Sequence, residues 1–268
     1  MSAASANRDE LVVRGLSAGY RRRPVLEGLD LPALRPGQVL SLVGPNAAGK
    51  STMLRALAGL MPARGSVRLG DRELIGLSLA EHAKLITYMP QTLPSGVGLS
   101  VYETVLSALK ASPAGAENWD ADTIRRKASD VLARLDIGHL AMETLDQLSG
   151  GQRQLVSLAQ SLVREPRVLL LDEPTSALDL RHQQDVMRLV REITDEGAMM
   201  AIIVLHDLAL AAQWSDMIAV LHGGRIAACG APEEAITPEM LAKVYGVAAR
   251  VERCSQGRLI VMVDGSVG

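Results

Sequence analysis

Short apolar runs bounded by turn residues alternate along most of the chain with longer stretches whose apolar positions repeat every three to four residues. That order is expected of an α/β fold, a mainly parallel sheet whose strands are joined by crossover helices. The runs predict strands at Leu11–Arg14, Val39–Val43, Ser66–Leu69, Leu85–Met89, Val168–Leu171, Met199–Leu205, Met217–Leu221, Arg225–Ala228 and Leu259–Val263. Val168–Leu171 and Met199–Leu205 are apolar at successive positions, so both faces of these strands should be covered. The longer periodicity predicts helices at Lys50–Leu60, Val101–Leu109, Asp122–Leu135, Gly151–Val163, Gln183–Thr194 and Pro238–Tyr245.

From about residue 92 to about residue 164 the pattern is almost wholly helical. It opens on Pro94, Gly96 and Gly98 and is interrupted by the loop-like tract Ala111–Ala116. This predicts a helical subdomain inserted in one domain spanning residues 9–263, with a small helix-and-strand appendage from about Pro238.

Composition alters this picture in a few places. The 268 residues include two Trp, four Tyr and no Phe, so the core must be aliphatic and no run of base-stacking aromatics is available. Charges nearly cancel, 28 Lys plus Arg against 30 Asp plus Glu, which argues against a generally basic nucleic-acid binder. A hydrophobic fraction of 48% excludes disorder as the main state. Two cysteines, Cys229 and Cys254, cannot make a disulfide framework and suggest a reducing compartment. The longest apolar stretch, Gly197–Leu205, falls well short of the roughly 20 residues a membrane span needs. The segment Met1–Glu10 lacks the hydrophobic core of a secretory signal.

Three motifs carry chemistry. Gly44-Pro45-Asn46-Ala47-Ala48-Gly49-Lys50-Ser51 follows a predicted strand and opens a helix continuing with Thr52, the setting of a phosphate-binding loop. Such a loop aims backbone N–H groups at a phosphate chain, and the helix N-terminus adds about half a positive charge. Lys50 would reach the β- and γ-phosphates, and Ser51 would ligate Mg²⁺. Val168–Leu171 ends in Asp172-Glu173, where α/β sheets bind ligands. Asp172 would hold the hydrated Mg²⁺, and Glu173 would polarise an attacking water. Leu148-Ser149-Gly150-Gly151-Gln152 precedes an amphipathic helix. It fits a simple helix cap, and equally a second anion site made of bare backbone N–H groups. One nucleotide site plus a separate anion site on one chain suggests head-to-tail pairing of two copies.

With these motifs the chain resembles the ATPase subunit of an ABC transporter over about Leu11 to Val263. The resemblance implies a RecA-like P-loop NTPase sheet domain with an inserted helical subdomain, and ATP and Mg²⁺ as ligands. It makes Leu148–Gln152 the signature motif, in which Ser149, Gly150, Gly151 and Gln152 cap the γ-phosphate held by the partner copy. It makes Gln91 the Q-loop glutamine that touches Mg²⁺ and water, and His206 the switch histidine that contacts the γ-phosphate. Asp179, in Ser176–Asp179, matches the D-loop at the dimer interface, and Tyr20, before Arg21-Arg22-Arg23, matches the aromatic that stacks on adenine. Where the family most often has a third glycine this chain has Ala47; if that position needs φ > 0, its Cβ costs about 1 kcal/mol without abolishing ATP binding. His82, His139, His182 and His222 show no ligand spacing and are expected at the surface.

The resemblance implies a subunit that energises uptake through separate integral-membrane permeases. It would be peripheral on the cytoplasmic face of the cell membrane and be served indirectly by a substrate-binding protein. The stretches Leu178–Gln183 and Thr237–Val247 resemble the ATPases of ferric siderophore, haem and cobalamin importers. Other readings are another importer or an exporter, a nontransport ABC ATPase, or a nucleotide-binding scaffold without turnover. Glu173 and His206 argue against the last.

Overall fold

The computed structural model describes residues 9–20, 23–91, 98–111, 119–197 and 199–267. In chain order the strands are β1 (Leu11–Tyr20), β2 (Arg23–Leu34), β3 (Val39–Val43), β4 (Ala63–Leu69), β5 (Arg72–Glu73), β6 (Ile86–Met89), β7 (Val168–Asp172), β8 (Met200–Val204), β9 (Met217–His222), β10 (Arg225–Gly230), β11 (Val247–Arg253) and β12 (Leu259–Ser266). The helices are α1 (Lys50–Leu57), α2 (Leu79–His82), α3 (Val101–Lys110), α4 (Ala121–Arg134), α5 (Gly150–Leu162), α6 (Leu180–Asp195), α7 (Leu208–Trp214), α8 (Pro232–Ala235) and α9 (Pro238–Met240), the last running into a π turn, Leu241–Tyr245.

The main sheet has the order β10-β9-β3-β8-β7-β6. Its strands pair in parallel except where β10 returns antiparallel along β9. Every residue of β3, β7 and β8 is buried. The reason is visible in the two cores. Val39, Leu169, Leu171, Ala201 and Ile203 face one side and pack with α3 to α6. Leu40, Leu42, Leu170, Ile202 and Val204 face the other and pack with α1 and a second sheet. Side chains alternate between two apolar layers, so the sequence does not alternate in polarity. The largest fully buried side chains are leucines and methionines, as a chain without Phe requires.

The second sheet, β2-β1-β4-β5, is antiparallel and was not foreseen as a separate layer. The whole of β2 escaped the sequence pattern, because Pro24, Gly28 and Pro32 interrupt it. Proline is tolerated there because β2 is an edge strand. Arg23 is the first residue of β2; Arg21 and Arg22 lie outside the described residues.

Between β6 and β7 the described chain is helical, and Val105, Leu109, Ala128, Leu132, Leu155 and Leu158 pack together from α3, α4 and α5. Pro94, Gly96 and the tract Ser112–Ala116 lie outside the described residues. After α9 the π turn stops at Gly246, φ 68°, and β11 and β12 form a terminal hairpin. The expected helix over Pro238–Tyr245 is therefore a short turn plus a π turn. Among the described residues no helix is long and apolar enough to cross a membrane. His82 corrects an expectation: it is 4% exposed, under Gly59, and its Nδ1 has no hydrogen-bond partner among the described residues.

Candidate functional site

The loop from β3 to α1 curls because three of its residues take positive φ: Gly44 at 146°, Ala47 at 63° and Gly49 at 107°. A Cβ on Gly44 would lie 2.1 Å from the Leu221 carbonyl oxygen, so only glycine fits there. Ala47 carries the left-handed conformation that its Cβ disfavours. Ala48, Lys50 and Thr52 are buried, whereas Asn46 and Ala47 are exposed at the rim and Pro45 is half-buried. Lys50 Nζ donates to the carbonyls of Gly44 (2.7 Å) and Pro45 (2.9 Å). Burial pushes the Lys50 ammonium below its ordinary pKa, against the upward pull of Glu173 and Asp172.

Asp172, at the end of β7, is 2% exposed. Ser51 Oγ donates to its Oδ1 at 3.1 Å and the Tyr88 hydroxyl to its Oδ2 at 2.9 Å. Burial raises the Asp172 pKa, opposed by these two hydrogen bonds. The Tyr88 hydroxyl is pushed up to about 12, chiefly by burial. A serine hydroxyl and a carboxylate oxygen side by side are the hard oxygen donors that Mg²⁺ prefers. Two such donors suit an ion that fills its other positions with waters and phosphate oxygens.

Glu173 follows directly, with φ 54°, a strained value for a non-glycine residue. Its side chain, 15% exposed, lies between Gln91, whose Nε2 donates to Oε2 at 2.6 Å, and His206, whose Nε2 is 2.5 Å from Oε1. The backbone strain is held by Gln154 of α5. Its Nε2 donates to the Glu173 carbonyl at 2.5 Å, and its Oε1 accepts from the Ala177 N–H at 3.0 Å.

The remaining expected residues lie elsewhere. Ser149 caps α5: its Oγ accepts from the Gln152 N–H (3.2 Å), and the Gln152 side chain accepts from the Ser149 N–H (2.8 Å). In three similar caps the hydroxyl also donates to the side chain three residues on, Ser78 to Glu81 (2.8 Å), Ser100 to Glu103 (2.8 Å) and Thr144 to Gln147 (2.9 Å). Among the described residues the Ser149 O–H has no such acceptor. Gly151 needs to be small, since a Cβ would lie 3.1 Å from the Ala177 carbonyl oxygen. Asp179 caps α6, accepting from the His182 N–H (2.9 Å) and pairing with its Nδ1 (2.8 Å). Ser149, Gly150, Gly151, Gln152 and Asp179 line one groove, in which no residue of the phosphate loop takes part among the described residues. Tyr20 ends β1, 50% exposed, its hydroxyl accepting from Arg55 Nη1 at 3.3 Å.

Tyr88, Arg55 and Gln154 were not singled out from the sequence. A polar residue at a buried position of an amphipathic helix was the available signal for Gln154, which is 6% exposed. Tyr245 was quoted only as part of a tail. Its hydroxyl, pushed up to about 12 chiefly by burial, lies beside the Gly44 backbone, so the appendage reaches the phosphate loop.

Residues 26–176 match the family model described as ABC transporter. The hemin import ATP-binding protein HmuV of Streptomyces coelicolor is 43% identical over 86% of this chain and 81% of its own length. The protein of the same name from Bordetella pertussis is 36% identical over 94% and 98%. Among solved structures, a metal-chelate type ABC transporter in an inward-facing conformation matches with TM-score 0.79, at 24% identity, over 96% of this chain and 97% of that one. A dimeric ATP-binding cassette, MJ0796, bound to ADP and phosphate matches with TM-score 0.74, at 25% identity, over 83% and 98%. With a family model covering more than half its length and relatives that align nearly end to end, the chain belongs to the ABC transporter ATPase family.

Proposed function

We propose that this chain is the ATP-hydrolysing subunit of a haem importer, working as a head-to-tail dimer. It docks on permease subunits at the cytoplasmic face of the membrane, and a binding protein supplies the substrate. The names of relatives at 43% and 36% identity carry the haem assignment. The setting of Glu173 carries the hydrolytic one: a carboxylate fixed by Gln91 and His206 beside the Asp172–Ser51 pair.

Lys50 swings from the loop carbonyls to the β- and γ-phosphates of ATP, exchanging neutral acceptors for charged ones. Ser51 and Asp172 hold the divalent cation, which neutralises phosphate charge when bound. Glu173 accepts a proton from the attacking water, Gln91 orients that water, and His206 turns from Glu173 to the γ-phosphate. Tyr20 offers its exposed ring to adenine. Across the dimer, the Ser149 hydroxyl, with no acceptor in its own helix, donates to the γ-phosphate held by the other copy. Gly150, Gly151 and Gln152 add the helix N-terminus, and Asp179 lies at the seam. Binding of two ATP closes the pair and hydrolysis reopens it, a motion passed to the permease through the segment after Gln91.

Vesicles carrying the permease, this chain inside and the binding protein outside test the reading. ATP-dependent haem uptake is the expected result. ATP-driven uptake of cobalamin or a ferric siderophore without haem uptake would move the substrate assignment within the iron-chelate group. ATP turnover unaffected by any loaded binding protein would remove the importer reading.

A further inference from the structure

Both oxygens of Asp172 are tied, and only one of the two hydroxyls that tie them comes from the phosphate loop. The other is Tyr88 of β6, the strand beside β7, where Tyr88 lies opposite Leu170. The guanidinium of Arg55, in the last turn of α1, lies close enough to the Tyr88 hydroxyl to act on it electrostatically. The same guanidinium donates through Nη1 to the Tyr20 hydroxyl at 3.3 Å. A phenol beside a cation donates more strongly through its own O–H. Two sets of hydrogen bonds, Tyr20 with Arg55 and Tyr88 with Asp172 and Ser51, are therefore joined by the charge of Arg55 along a route that avoids Lys50.

We propose that Tyr88 and Arg55 are positioning residues that fix the Asp172 carboxylate for the divalent cation, with the Tyr20 hydroxyl anchoring the far end of the path. The inference rests on the reading of Asp172 as the cation's carboxylate. With Oδ2 held by Tyr88 the carboxylate plane cannot turn, so Oδ1 stays against Ser51, the other cation ligand. Loss of the phenol O–H frees that rotation and leaves a buried oxygen without its partner. The defect falls on the cation's share of nucleotide affinity. It spares the share due to Lys50, whose ammonium is held by different groups.

The test measures ATP affinity of the full chain in EDTA and in Mg²⁺, with Mn²⁺ and ATP followed by electron paramagnetic resonance as a direct probe of cation binding. Asp172→Asn should lose the gain in affinity that the cation brings. Tyr88→Phe should reduce that gain, and Mn²⁺ affinity, by about tenfold, the usual scale for a group that orients a metal ligand. Its ATP affinity in EDTA should stay within about twofold of the parent, and Arg55→Gln should show the same pattern at smaller size. Arg55 is exposed, so Arg55→Gln decides the matter if Tyr88→Phe fails to fold. The proposal is overturned if Tyr88→Phe and Arg55→Gln keep the full cation gain while Asp172→Asn loses it. It is also overturned if affinity falls equally with and without cation, the mark of a merely structural role. An undiminished gain in Asp172→Asn would instead remove the reading of Asp172 itself, and the proposal with it.

Discussion

The two halves of the candidate site differ in what their polar groups already hold. On the phosphate-loop side, Ser51 and Asp172 bond each other, Lys50 bonds the loop's own carbonyls, and Glu173 joins Gln91 to His206. Apart from the Lys50 contacts within the loop, these join residues far apart in sequence. On the signature side, Ser149 and Asp179 bond residues three positions along their own helices, and they line a groove away from the loop. The first half is self-sufficient within one chain. The second is a finished helix terminus whose hydroxyl has no acceptor among the described residues, which is what a surface shaped for another copy would present.

The contrast breaks most visibly at Glu173. Glu173→Gln keeps the hydrogen-bonding shape between Gln91 and His206 but removes the base, so ATP turnover should fall by about 10²–10⁴. ATP binding should persist and dimers should accumulate with ATP, as size-exclusion chromatography can measure. Turnover near the parent rate would reject Glu173 as the base. Next in size is Lys50→Ala, which removes a charge-assisted contact of about 1.5–3 kcal/mol and should weaken ATP binding tenfold or more. Mixed with Ser149→Arg, it should regain part of the lost turnover, because each hybrid dimer then has one site with both groups intact. Absence of rescue in hybrids that form and bind ATP would count against sites shared in this way, unless two sites must fire together.

Ser149→Gly sharpens the comparison further. Glycine at an N-cap costs only a few tenths of a kcal/mol, so the melting temperature should barely move while turnover falls. The same change at Ser100, whose hydroxyl already donates to Glu103, should leave turnover intact. Equal effects at the two positions would make Ser149 an ordinary cap. The smallest effect belongs to Ala47→Gly. Relief of the φ 63° conformation should stabilise the fold by about 1 kcal/mol or less, a melting shift of about 2–4 °C. Calorimetry showing a loss of stability would mean that the Ala47 Cβ has a compensating contact.

Sequence showed the parts of the site whose chemistry is local. The phosphate loop and Asp172-Glu173 are short runs at the ends of apolar strands, and β3 and β7 form where the pattern predicts them. What it hid depends on distant placement. Tyr88 meets Asp172 only because β6 and β7 pair, and Gln154 reaches Ala177 only when α5 is brought against the loop after β7. Edge strand β2 was hidden for another reason: its prolines are stop signals wherever both neighbours must be paired, and β2 has a neighbour on one side only.

The placement of β3 between β8 and β9 has a consequence for how the protein is made. The strand that launches the phosphate loop is synthesised early, but both strands that flank it come late, and Tyr245 later still. At about 5–20 residues per second, Gly44 leaves the peptidyl-transferase centre roughly 10–40 s before Tyr245. For most of that interval, until β8 is made, β3, whose residues all end up buried, is an apolar strand with neither neighbour to pair with. A nascent chain halted after β7 already carries the whole phosphate loop together with Asp172 and Glu173, yet lacks β8, the strand that sets β3 beside β7 in the main sheet. Premature termination should therefore yield a client for chaperones and proteases and no partly active enzyme.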